Sequence, residues 1–208
     1  MSRFITEHRE QRFKKVIAKR QLNLTVILEN VHDPHNIGAV LRSCDAVGLH
    51  EVYIIYTERR LQDRGVIGHN SSSGSLKWVQ LRYFENVKKC MDLVKSKYDK
   101  IYATHLNGDS KDLYELDFTE STALLFGNEH DGVSTESLSY CDGNFTIPQH
   151  GMVQSLNISV ACAVTLFEAQ RQRKLKGAYG HQFDHSNSNH VEMFELYCEQ
   201  QLKAKSKE

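Results

Sequence analysis

The chain has 208 residues, enough for one well-filled domain with appendages, and its 26 Lys and Arg are matched by 26 Asp and Glu. That balance argues against a protein that coats nucleic acid indiscriminately, while leaving room for a local basic face. Five widely spaced cysteines with no C-x-x-C suggest reduced thiols rather than a disulfide framework or zinc site, and a charged N-terminus without signal peptide or membrane span leads us to expect a soluble, cytoplasmic protein.

From Arg3 to Arg20 the pattern predicts a helix with Phe4, Phe13, Val16 and Ile17 partly on one side. Arg3, Arg9, Arg12, Lys14, Lys15, Lys19 and Arg20 against Glu7 and Glu10 leave it at seven minus two, or +5. It reads equally as a solvated helix or as a phosphate-binding arm. Leu24–Leu28 is a short apolar run with β-branched members, read as a buried strand. After the loop ENVHDPHN, a helix is expected over Asn36–Val47, capped by Asn36 or Asp33 and closed by Gly48. Strand Glu51–Tyr56 completes a β-α-β unit.

His69–Ser75 is small and polar, either a loop or a weak helix. Beyond it the pattern predicts strand Trp78–Tyr83, helix Asn86–Tyr98 and strands Lys100–Thr104 and Ala123–Phe126. A short helix Ser134–Tyr140 and strand Asn144–Ile147 follow. The stretch Ile147–Arg173 then passes from a turn-like start, with Pro148 and Gly151, into an apolar helix for which Ser155 is a natural N-cap. Gly177–Asn189 reads as a linker and His190–Lys203 as a last amphipathic helix. Three regions result: a basic helix over 1–20, a core domain over 21–177, and a linker with helix over 178–208. Strands alternating with helices imply an α/β fold, a mostly parallel sheet with helices on both faces.

In such sheets ligands bind beyond the carboxyl ends of the strands. Four loops fall there, Glu29–Asn36, Thr104–Asp109, Gly127–Ser134 and Pro148–Ser155, and the two prolines of the chain lie in them. No G-x-G-x-x-G follows a strand, no phosphate-cradling G-x-x-x-x-G-K-[ST] exists, and there is no G-x-S-x-G elbow. His32, Asp33 and His35 are too close along a tight loop to converge on one ion, and His181, His185 and His190 fall in or at the end of the linker, so no metal is expected.

These loops carry a resemblance. NIGAVLRSCDAVG, with Asn36 and Arg42, resembles motif 1 of the SPOUT superfamily of RNA methyltransferases. Leu124–Ser134 resembles motif 2 and Ile147–Ala163 motif 3, and the likeness runs from about Leu24 to Arg173. The EAQRQR ending, Ala103–Leu106 and the basic N-terminal helix narrow it to the TrmH branch, similar to enzymes that methylate the ribose 2′-hydroxyl of guanosine 18 in the tRNA D-loop. The resemblance implies S-adenosylmethionine as cofactor, a homodimer and a C-terminal trefoil knot; general topology rules would not predict the knot.

By resemblance, Arg42, Asn36, Glu129, Ser155 and Asn157 are the active-site residues, and Thr104, Gly127, Ile147 and Leu156 line the cofactor pocket. Arg12, Lys14, Lys15, Lys19, Arg20, Arg171 and Arg173, with Lys174 and Lys176, would supply the tRNA-contacting surface. An arginine loses its proton only far above neutral pH, so neutralising one at pH 7 would cost about 9 kcal/mol, and a neighbouring phosphate would add to that. Arg42 is therefore better read as a bidentate clamp on an RNA phosphate than as a base. The alternatives are methylation of another tRNA or rRNA position, a non-catalytic RNA-binding relative, or a small-molecule α/β enzyme with a nucleotide cofactor. The segment after Gly177 is shorter than in members with a long C-terminal extension, which leaves the grip on the tRNA body open.

Overall fold

The computed structural model of the chain describes residues 5–62, 77–106, 109–153 and 155–205. Seven strands form one sheet in the order β3-β2-β1-β6-β4-β7-β5, and every pairing between them is parallel. They are β1 (Leu24–Glu29), β2 (Glu51–Ile55), β3 (Gln80–Phe84), β4 (Lys100–Thr104), β5 (Lys111–Asp112), β6 (Thr122–Phe126) and β7 (Gly143–Thr146).

The central strands β1, β2 and β6 are buried along their whole length because helices cover both faces. Alternate residues feed two cores. Val26, Leu28, Val52, Ile54, Leu124 and Phe126 pack with α2 (Pro34–Val47) and α6 (Ile158–Leu175) through Ile37, Val40, Leu41, Cys162 and Leu166. Ile27, Tyr53, Ile55, Ala123 and Leu125 pack on the other face with α4 (Val87–Lys95) through Val87, Cys90, Met91 and Val94. A third cluster joins α1 (Glu7–Ile17) to α7 (Ser188–Lys205), where Phe13 and Ile17 meet Met193 and Tyr197 beside Trp78. The short helices are α3 (Arg59–Gln62) and α5 (Thr135–Leu138).

Several boundaries move for identifiable reasons. Asp33, not Asn36, caps α2: its side chain accepts from His35 N at 2.8 Å, with Pro34 opening the helix. That leaves the Asn36 amide for other partners. Ser155 does not cap α6; the chain stays non-helical to Asn157, whose Oδ1 accepts from Ser159 N at 2.9 Å and Ser159 Oγ at 2.6 Å. The strand expected at Trp78 begins at Gln80, because the indole is drawn into the cluster with Phe13 and Tyr197. The two-residue β5 is too short for periodicity to register. His69–Ser75 lies outside the described residues. Gly48, at φ 91°, closes α2 in the left-handed region, and a Cβ there would meet the Lys19 carbonyl oxygen at 2.8 Å.

Candidate active site and basic groove

Because every strand runs the same way, the loops after β4, β6 and β7 emerge at one edge. They enclose a cleft of about 930 Å³ between Thr104–Leu106, Phe126–Gly132 and the stretch from Phe145 to Ala161. This size suits a nucleotide-like molecule. The loop after β6 is folded tightly on itself. Asn128 Oδ1 accepts from the backbone N–H groups of His130 (2.8 Å) and Asp131 (2.7 Å), and Gly132 N donates to Asn128 O. A Cβ on Gly127 would lie 1.9 Å from the Gly132 carbonyl carbon and 2.3 Å from Val133 N, so only glycine permits this return of backbone on backbone. Its far end is pinned by Glu29, 1 % exposed at the close of β1, whose carboxylate accepts from Ser134 N (3.0 Å), Ser134 Oγ (2.6 Å) and Ser137 Oγ (2.9 Å). A buried carboxylate needs such donors, and here they fix the loop relative to the sheet.

At the rim of the cleft three loops are tied by side chains. Asn36 Nδ2, from the first turn of α2, donates a short hydrogen bond to Glu129 Oε1, and Asn157 Nδ2 donates to Asn36 Oδ1 at 3.1 Å. Each asparagine thus accepts on its oxygen and donates from its nitrogen, in one chain running Ser159, Asn157, Asn36, Glu129. Glu129, Ser155 and Asn157 line the cleft, as do Thr104, Gly127, Ile147 and Leu156. Arg42 is exposed on α2. Six residues on from Asn36, it is displaced about 9 Å along the axis and a third of a turn round the helix. Among the described residues the cleft wall does not include it.

The cleft fits a cofactor that presents both apolar surface and polar hydrogens. Ile147, Val153, Leu156 and Phe126 supply apolar wall, and Gln149 Oε1 is a buried acceptor with no hydrogen-bond partner among the described residues. Among the described residues no group of three His, Cys, Asp or Glu side chains could hold a metal ion, and no helix is long and apolar enough to cross a membrane.

The basic residues divide. Arg12, Lys15 and Lys19 line a separate groove of about 780 Å³ together with His8, Lys174, Tyr179 and the end of α2 from Asp45 to Gly48. This groove lies at the amino edge of the sheet. Lys14 turns away from it, pairing with Glu10 at 2.8 Å and lying over the rings of Phe183 and Phe194. Arg171 is exposed and bridges to Glu168 at 2.7 Å, which holds that carboxyl below its usual range.

Two expectations are corrected. Arg20 and Arg173 are buried and fully engaged, so neither belongs to an RNA-contacting surface. Arg20 donates to Tyr197 Oη (2.8 Å), Leu49 O (2.7 Å), Asp45 Oδ1 (2.7 Å) and Trp78 O (3.0 Å), joining α1 to α2 and α7. Arg173, 2 % exposed, donates to Phe118 O, Gln21 Oε1, Asn23 Oδ1, Asn23 O and Glu120 O, fastening the end of α6 to the entries of β1 and β6. Charge patterning registers a cation but not the carbonyls that surround it. Glu29 and Gln149 stand outside the expected site residues. Glu29 could have been suspected from a carboxylate ending an otherwise apolar strand, whereas nothing in the residue types marks Gln149.

Comparison with known proteins places these features. The SpoU rRNA Methylase family model matches residues 23–167, which span the sheet, all three loops and most of α6. The chain belongs to this family of methyltransferases. A tRNA (guanosine(18)-2′-O)-methyltransferase of Thermus thermophilus is 49 % identical over 175 residues, covering 84 % of this chain and 88 % of its own. The solved structure of a TrmH/SpoU tRNA-modifying enzyme from A. aeolicus superposes with a TM-score of 0.81 at 36 % identity, covering 93 % and 96 % of the two chains. The SpoU methyltransferase AviRb from Streptomyces viridochromogenes, solved in complex with the cofactor AdoMet, has a TM-score of 0.65 at 31 % identity, over 74 % of this chain and 59 % of that one.

Proposed function

We propose that the protein is a tRNA (guanosine(18)-2′-O)-methyltransferase that uses S-adenosylmethionine and works as a cytoplasmic homodimer. The single observation that carries this reading is the hydrogen-bonded chain Asn157–Asn36–Glu129, which gathers one residue from each family motif at the mouth of the cofactor-sized cleft.

When bound, the cofactor supplies an electrophilic methyl group on a sulfonium. Thr104, Gly127, Ile147 and Leu156, which line the cleft, would hold it there. The protein then has to align a ribose oxygen with that methyl and accommodate one proton. Asn36 and Asn157, locked to each other, present fixed polar groups for the ribose, and Glu129 orients Asn36. Arg42 clamps the adjacent phosphate through its planar fork. The hydroxyl proton would pass to solvent water.

The placement of Arg42 favours a dimeric site. It shares the exposed side of α2 with Ala39 and Ala46. On the neighbouring α6, Val160 and Phe167 are about half exposed, with Val164 partly buried between them. A second copy covering this face would remove the apolar surface from water and bring its own Arg42 to the Asn36–Asn157 corner. The trefoil knot is part of the same reading, supported by β7 pairing beside β4 rather than beside β6, which directly precedes it.

Incubation of the protein with labelled cofactor and an unmodified tRNA transcript tests the proposal. Label should enter ribose, and Arg42→Ala should abolish it. Absence of transfer, or transfer to rRNA fragments only, rejects the reading.

A further inference from the structure

We infer that Gln149 is a cofactor-binding residue of this cleft, its side-chain oxygen accepting a hydrogen bond from a polar hydrogen of the cofactor; the inference rests on the S-adenosylmethionine reading above. Gln149 lies in the wall of the cleft within the stretch Phe145–Ile147–Pro148, whose other side chains offer no acceptor apart from Thr146. The residue is half-buried, yet Oε1 is sealed from solvent and meets no donor among the described residues.

An amide oxygen withdrawn from water without a partner costs about 1–3 kcal/mol, and chains rarely keep one without a use for it. Leucine or methionine would pack against Phe145 and Ile147 without that penalty. A glutamine here makes sense if a ligand completes the bond. The ligand group must be a donor, because a carbonyl oxygen only accepts. S-Adenosylmethionine carries such hydrogens at both ends: the exocyclic amine and ribose hydroxyls of the adenosine half, and the ammonium of the methionyl half. Both sources share the same chemistry, and the test separates them.

The experiment measures affinity without turnover, by calorimetric titration of S-adenosylhomocysteine and of methylthioadenosine, which lacks the amino-acid half. The samples are wild type, Gln149→Leu and Gln149→Glu. Gln149→Leu should bind S-adenosylhomocysteine about three- to tenfold more weakly, while Gln149→Glu, which keeps an acceptor oxygen, should stay within about twofold of wild type. A matching loss for methylthioadenosine places the donor on the adenosine half; an unchanged value places it on the methionyl half. The ligand-free melting temperature of Gln149→Leu should hold or rise, since the variant removes an unsatisfied buried oxygen, whereas a purely structural glutamine would make it fall. Wild-type affinity in Gln149→Leu, or a lower melting temperature with affinity intact, overturns the inference and leaves the cofactor reading standing. Failure of the wild type to bind either ligand overturns the cofactor reading itself.

Discussion

Asn157 does two things with one amide. Its oxygen caps α6 by accepting from Ser159 N, and its nitrogen donates to Asn36 at 3.1 Å. Aspartate caps a helix as well as asparagine but has no hydrogen to give Asn36. Asn157→Asp should therefore melt within a degree or two of wild type while methyl transfer falls about tenfold or more, the equivalent of one lost hydrogen bond of 1–2 kcal/mol. Equal losses of stability and activity would mean that the residue is only a cap. The motif resemblance singles out Asn36, Glu129 and Asn157, and the structure adds that they are hydrogen-bonded in one chain. Ser155 reads as the cap because Ser and Asn are both good caps and two residues separate them. Arg20 and Arg173 read as surface cations because an arginine looks the same in sequence whether it meets water or a ring of protein oxygens.

At the scale of elements, α6 is held at one end by Asn157 and at the other by Arg173. The guanidinium has no carboxylate partner; three of its five bonds go to the backbone oxygens of Phe118, Asn23 and Glu120. Burial presses its pKa down, and the surrounding oxygens satisfy its hydrogens. Arg173→Met would leave those carbonyls unsatisfied and should cost about 3 kcal/mol in urea unfolding, with little change in the salt dependence of tRNA binding. A loss of RNA affinity without loss of stability would instead return Arg173 to the RNA surface.

At the start of β2, Glu51 accepts from Tyr53 Oη (2.6 Å), Arg82 Nε (2.6 Å), Lys97 Nζ (2.8 Å) and Tyr98 Oη (3.1 Å). Burial alone would raise this carboxyl, but the bonds from Lys97, Tyr53 and Arg82 outweigh it and bring it down to about 2. Since the folded value lies below the unfolded one, near 4.5, the cluster stabilises fully above that pH and progressively less as pH falls toward 2. Its contribution is about 2 kcal/mol, because Arg82 and Lys97 both reach solvent. Wild type should exceed Glu51→Gln by this margin at pH 7 in chemical denaturation, and the two curves should converge toward pH 2. A constant gap would contradict the assignment. The main strands and helices were legible because buried parallel strands are continuous apolar runs and the covering helices keep a helical period. The two-residue β5 and the entry to β3 were not, since neither has the length to show a period.

The whole molecule places its cationic groove and its cleft at opposite edges of one sheet. Asn36 and Asp45, which mark the two ends, are separated by about 14 Å along α2, with Arg42 between them. One subunit thus carries the cleft at one end and a groove lined by cationic side chains at the other, and in the proposed dimer a two-fold partner would bring its groove toward the first subunit's cleft. If Arg42 acts across the dimer, mixing the inactive variants Arg42→Ala and Asn157→Ala, with subunit exchange, should restore about a quarter of wild-type activity. Action within one subunit would restore none. Neither the pairing of α1 with α7 nor the distance between groove and cleft was legible in the sequence, because both depend on contacts between distant segments.

On the proposed reading, three loops joined through Asn36, Glu129 and Asn157 direct one methyl group to one ribose oxygen. Nuclease digestion and mass spectrometry of a tRNA transcript treated with the protein and S-adenosylmethionine test this. A single added methyl should appear on the ribose of guanosine 18 and be absent with Asn36→Ala. A methyl on a base, or one spread over several nucleotides, would contradict it.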